Sequence, residues 1–253
     1  MKVNRFLPLV IPVLIFLLQQ LYFFSPKFIY LVLVLINILL FFALWQFSQA
    51  SQVDKKWWNF LIQPSLLTTA VVVYCLFLSQ KIIIELLFLA NLVLLYFYLR
   101  QVYYYLIKPT SYQVFSLENL SVYGNFLTFF LLAASVYGLQ SYLGLAIWPL
   151  ELVFLMLVAL IIYQVIWANK IEIKRALSYL LLVCLVLVEL SWALSFLPFN
   201  HHVLALLLAI CYYLIIGLTR CYLLNKLDKK IVRVYLTLGL AGIIILLMTA
   251  RWL

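Results

Sequence analysis

Seven acidic residues and two histidines are all that this 253-residue chain offers for acid–base or metal chemistry. Three of the acids, Glu85, Glu151 and Glu189, stand inside long apolar runs. A carboxylate in hydrocarbon costs at least a few kcal/mol, so one kept there has a partner or a task. Glu189 is the deepest. It lies nine residues before Pro198, about 13 Å along a helix at 1.5 Å per residue. It reads either as a protonatable or cation-binding group, or as a neutral carboxyl bonded to a neighbouring helix. Glu85 and Glu151 lie one turn from their run ends, where snorkelling to water is the plainer account. With His201 and His202 they fall in the same half of the chain's span pattern. If the fold gathers them, they make an outward-facing acidic pocket for a proton, a metal ion or a cationic substrate. The histidine pair alone falls short of the three or four ligands a metal site needs, so no metal site is assigned. Arg100, followed by Tyr103-Tyr104-Tyr105, and Lys108 read as an interfacial anchor, or as a contact for a phosphate or lipid headgroup.

What must position these residues is a set of helices. Hydrophobic residues make up 69% and charged residues 9% of the chain, against about 45–50% and about 25% in soluble domains. Such a chain would expose large apolar patches in water. Apolar runs near residues 6–24, 28–47, 58–79, 82–106, 119–140, 146–168, 174–197, 202–223 and 231–250 predict nine transmembrane helices. Each is about the 20 residues a bilayer requires. The runs are continuous rather than alternating, which excludes a β-barrel. The fold expected is an all-α polytopic membrane bundle forming a single domain over residues 1–253. The start imitates a signal peptide, with Lys2 and Arg5 before an apolar run. No small-residue cleavage site follows, so it reads as an uncleaved first helix.

The net charge of +10 serves topology rather than nucleic-acid binding. With the N-terminus cytoplasmic and the C-terminus outside, 14 of the 17 Lys and Arg fall on the inner side and only Lys27, Lys81 and Arg251 outside. Short inner loops hold Lys and Arg by the positive-inside rule, and the same loops would attract anionic lipid. Trp45, Trp57, Trp58 and Trp167 then fall near the inner interface. Trp148, Trp192 and Trp252 fall near the outer one, at the headgroup depth indoles prefer. The compact loops and strong bias fit a prokaryotic cytoplasmic membrane.

A weak repeat at an offset of 66 pairs residues 58–108 with 124–174. Asn59-Phe60-Leu61 matches Asn125-Phe126-Leu127, and Glu85-Leu86 matches Glu151-Leu152. Parallel repeats of this kind occur in transporters. Midspan polar residues, among them Asn37, Asn91, Thr68, Asn125 and Gln164, read as interhelical glue. Gln63-Pro64-Ser65 predicts a kink and a freed carbonyl. Cys75, Cys184, Cys211 and Cys221 are scattered through apolar runs and read as small buried hydrophobes.

HExxH, GxSxG, P-loop and GxGxxG patterns are absent, and no cofactor is implied. Three classes of function stay open. The first is a non-enzymatic subunit, scaffold or assembly component of a membrane complex, with other membrane subunits as partners. The second is a small transporter or channel using the outward acidic residues. The third, ranked behind, is an enzyme on a lipid-linked substrate with Glu and His as acid and base.

Overall fold

A computed structural model describes residues 6–50, 57–113 and 116–250. Among them are nine α-helices: α1 (Leu7–Gln20), α2 (Ile29–Ala50), α3 (Asn59–Tyr74), α4 (Lys81–Ile107), α5 (Ser116–Leu143), α6 (Ile147–Ala168), α7 (Ile173–Leu194), α8 (His201–Leu223) and α9 (Lys229–Thr249). Each predicted segment coincides with one helix to within a few residues. Eight are long and apolar enough to cross a membrane; α1 with its closing turn, Leu7–Phe23, is shorter. Lys2, Arg5, Lys55, Lys56, Arg251 and Trp252, counted above for topology, lie outside the described residues.

The surface is as apolar as the interior. Helix α2 buries Val32, Ile36, Leu40, Ala43 and Phe47 at three- to four-residue spacing. Its other side exposes Leu31, Val34, Ile38 and Phe41. A soluble helix would carry polar residues there. The pattern is compatible with a multi-pass membrane bundle.

Local signals set the helix ends. Asn200 caps α8, its side chain accepting from the His202 N–H at 3.2 Å. Two C-termini close alike. Lys170 and Asn225 adopt left-handed backbone, φ 56° and 54°. Ile171 N–H returns to the Ile166 carbonyl, and Lys226 N–H to that of Cys221, the pairing of a Schellman motif.

The helices fall into two compact units, Met1–Asn125 and Phe126–Leu253. In the first, α1 packs along α4 and α2, and α3 packs against α2 and α4. Pro64 sits inside α3 and has no N–H to offer the Phe60 carbonyl one turn earlier. The Tyr98 hydroxyl of α4 donates to that carbonyl instead, at 2.9 Å and fully buried. The freed carbonyl expected from the proline is thus used as a tie between two helices.

In the second unit, α6, α7, α8 and α9 pack in succession. Phe129 of α5 stacks on Tyr212 of α8 at 4.2 Å and meets Phe154 of α6 at 5.6 Å. Helix α9 buries only Gly239. A Cβ there would collide with Leu214 of α8, and one at Gly217 with the Tyr235 ring. Small residues let these two helices approach closely.

Candidate functional site

The described residues bury one carboxylate, Glu151, in the second unit. It is the fifth residue of α6, and it is only 6% exposed. The Ser191 hydroxyl of α7 donates to Glu151 Oε1 at 2.8 Å. The Tyr137 hydroxyl of α5 reaches the Ser191 carbonyl at 3.0 Å and Ser191 Oγ at 3.3 Å. Tyr137 and Ser191 are themselves buried. The chain of donors therefore runs from Tyr137 through Ser191 and ends on the carboxyl. The other carboxyl oxygen, Oε2, has no hydrogen-bond partner among the described residues.

Helical periodicity explains how the three residues meet. On α7 the buried positions Val183, Cys184, Leu187 and Ser191 form one stripe. Tyr137 is buried on α5 among Ala133, Ala134 and Val136. Above this network the Trp148 and Trp192 rings approach to 5.7 Å. They lie near the start of α6 and the end of α7, so the carboxyl sits about one turn below an aromatic layer.

Glu189 does not join this network. It is exposed, because two residues on a helix turn about 200° and place it opposite Ser191. Its neighbours on that exposed face include Leu182 and Leu185. Helical side chains lean toward the N-terminus, so Glu189 leans away from the nearer, C-terminal end of α7. Glu85 belongs to the first unit, is half-exposed and lies 3.8 Å from Lys81. It leans toward the near end of α4.

His201 and His202 open α8. His201 is buried rather than solvated. Its ring meets His202 at 3.8 Å and Tyr142 at 5.4 Å. Among the described residues no group of three or more His, Cys, Asp or Glu is placed to hold a metal ion.

At the other end of α4, the Arg100 guanidinium donates to the Tyr104 hydroxyl at 3.3 Å and to that of Tyr96 at 3.5 Å. It also lies over both rings. Lys108 caps the same helix eight residues on, about 12 Å away along the axis, so the two cations do not form one clamp. Beyond it, in the connection to α5, the Tyr112 hydroxyl donates to Glu118 Oε2 at 3.1 Å and accepts from the Leu117 N–H at 3.4 Å. Burial raises the Tyr112 phenol above its ordinary value of 10.0; the Glu118 carboxylate adds to this and the Leu117 N–H opposes it.

Sequence reasoning passed over Ser191 and Tyr137. Ser191 carries a signal in retrospect, being the one hydroxyl on the buried stripe of α7. Tyr137 carries none, since eighteen tyrosines look alike in sequence.

An all-helical bundle with membrane-length apolar helices and one buried carboxyl at the end of a hydroxyl chain defines the class. The chain belongs to the DUF5656 family, described as a protein of unknown function, whose model matches residues 8–249. No curated protein and no solved structure matches it.

Proposed function

We propose that this is a small multi-pass membrane transporter or channel whose ion is a proton, held at Glu151. The observation that carries the reading is the buried carboxyl with Oε1 bonded to Ser191 and Oε2 unpartnered. Intramembrane carboxyls serve proton relays. A single carboxylate with two hydroxyls suits a proton better than a metal ion, which needs more ligands. The Ser191 hydroxyl orients the group, and Tyr137 orients Ser191. The aromatic layer of Trp148 and Trp192 marks the side from which the proton enters.

The test is proton flux into proteoliposomes under an imposed pH gradient. Wild type dissipates the gradient faster than empty vesicles, and Glu151→Gln does not, while Glu189→Gln does. Equal flux in wild type and Glu151→Gln sinks the assignment. Flux restored by sodium in place of protons reassigns the ion.

A second reading, a subunit of a membrane complex, is favoured by one observation: the exposed carboxyl of Glu189 on an apolar helix face. Lipid is a poor neighbour for it, and a polar or basic group from another chain would satisfy it. Tagged purification from native membranes in mild detergent checks this. A stoichiometric partner that is lost in Glu189→Leu supports the subunit reading; an unchanged set of bound proteins removes its basis.

A further inference from the structure

The first unit holds a second polar feature, unrelated to the carboxyl of Glu151. Gln19 of α1 and Asn91 of α4 are each 1% exposed. Both the nitrogen and the oxygen of both side-chain amides lack a hydrogen-bond partner among the described residues. Four unpartnered polar atoms in an apolar core are a large debt, since each costs about 1–3 kcal/mol when nothing satisfies it.

The two amides share one level. Phe23, just past α1, meets Phe88 of α4 at 6.1 Å, and Lys81 at the start of α4 lies 5.0 Å over the Phe23 ring. The end of α1 is therefore beside the start of α4, and the two helices run antiparallel. Gln19 is four residues back from Phe23 and Asn91 three residues on from Phe88. The first step, partly through the 3-10 turn Leu21–Phe23, is about 7 Å and the second about 4.5 Å along the two axes, in the same direction. Asn91 also shares its helix face with Phe88, by i,i+3 spacing.

We infer that Gln19 and Asn91 form an internal hydration site, in which water bonded to both amides fills the space between α1 and α4. A direct amide–amide contact cannot account for them. Even a doubly bonded amide pair leaves one N–H on each nitrogen unused. Water both donates and accepts, and buried waters make about three bonds to groups that are otherwise unsatisfied. Neither amide carries a charge to offset that of an ion, and a neutral molecule needs none. The Phe23–Phe88 pair lies between the amides and the near helix ends and restricts exchange with bulk water.

The test uses the full chain, labelled with nitrogen-15, in liposomes. Water-edited solid-state NMR follows magnetisation passing from water to side-chain amides, with signals assigned by their loss in Gln19→Met and Asn91→Leu. Both amides are expected to receive it several-fold faster than the backbone amides of Ile15 and Leu95, dry neighbours one turn away. Transfer no faster than at Ile15 and Leu95 overturns the proposal, with or without a direct Gln19–Asn91 cross-peak. Radiolytic hydroxyl labelling of the unaltered chain keeps the inference testable if a variant fails to fold. Phe88, beside the site, is expected to be labelled above the equally buried Phe47; labelling no greater than that of Phe47 refutes it.

Discussion

Replacing Tyr98 by phenylalanine removes one oxygen, and the consequence depends on a proline in another helix. The Tyr98 hydroxyl donates at 2.9 Å to the Phe60 carbonyl, which Pro64 cannot serve because it lacks an N–H. Tyr98→Phe takes that donor away in a site with no route to water, Tyr98 being 3% exposed. Side-chain hydrogen bonds between membrane helices average about 0.6 kcal/mol and reach about 1.7. A buried carbonyl that loses its donor costs about 1–3. The expected loss is therefore about 1–2 kcal/mol, roughly a tenfold change in the folding equilibrium. Pro64→Ala restores an N–H one turn after Phe60, and the helix can then satisfy the carbonyl itself. In that background Tyr98→Phe should cost less by about 1 kcal/mol, a coupling of the size contacting residues show. The assay is reversible unfolding in mixed micelles for the four members of the cycle. If Tyr98→Phe costs the same with proline and with alanine at 64, the hydroxyl is not standing in for the missing N–H and the reasoning fails.

Ser191→Ala removes the only donor to Glu151 Oε1 that the described residues provide and should destabilise by about 1–3 kcal/mol. Tyr137→Phe should cost about 0.6, and the double variant less than the sum; additive losses in the same unfolding assay would separate Tyr137 from the network. Lys170→Gly should stabilise by about 0.5–1 kcal/mol, because left-handed backbone penalises a side chain; a lower midpoint in denaturant would contradict this. The raised Tyr112 phenol has a defined sign. A folded value above the unfolded one means stability that is complete below pH 10.0 and is lost as pH rises through the folded value. Tyr112→Phe should reduce that alkaline slope in unfolding measured from neutral to strongly basic pH, and an unchanged slope would place its origin elsewhere.

The helices were legible because apolar runs long enough to span a bilayer leave little choice, and polar breaks separate them. Eight breaks and the register of nine segments needed no tertiary information. The site was legible only in part. Glu151 was singled out for standing one turn inside its span, but sequence placed Glu189 ahead of it on depth alone. Depth follows from counting along one helix. Facing depends on which stripe the neighbours bury, and counting depth along α7 does not supply it. The same blindness hid Gln19. It sits at the end of an apolar run, where a glutamine reads as a boundary, and only the packing of α1 along α4 makes it an interior residue.

An apolar bundle therefore sorts its few polar groups by what their surroundings satisfy. Thr68 and Ser135 close on carbonyls of their own helices, and Tyr98 replaces a missing N–H. Each of these hydroxyls spends its one donor hydrogen within the fold. Glu151 differs because its donor chain stops one oxygen short, and Gln19 and Asn91 differ because they are not served at all. Unused hydrogen-bonding capacity in a dry interior is costly, and packing alternatives exist at each position, since Leu or Met would fill similar space. At two of the places where the described residues carry that cost, an exchangeable species, a proton in one unit and water in the other, would offset it.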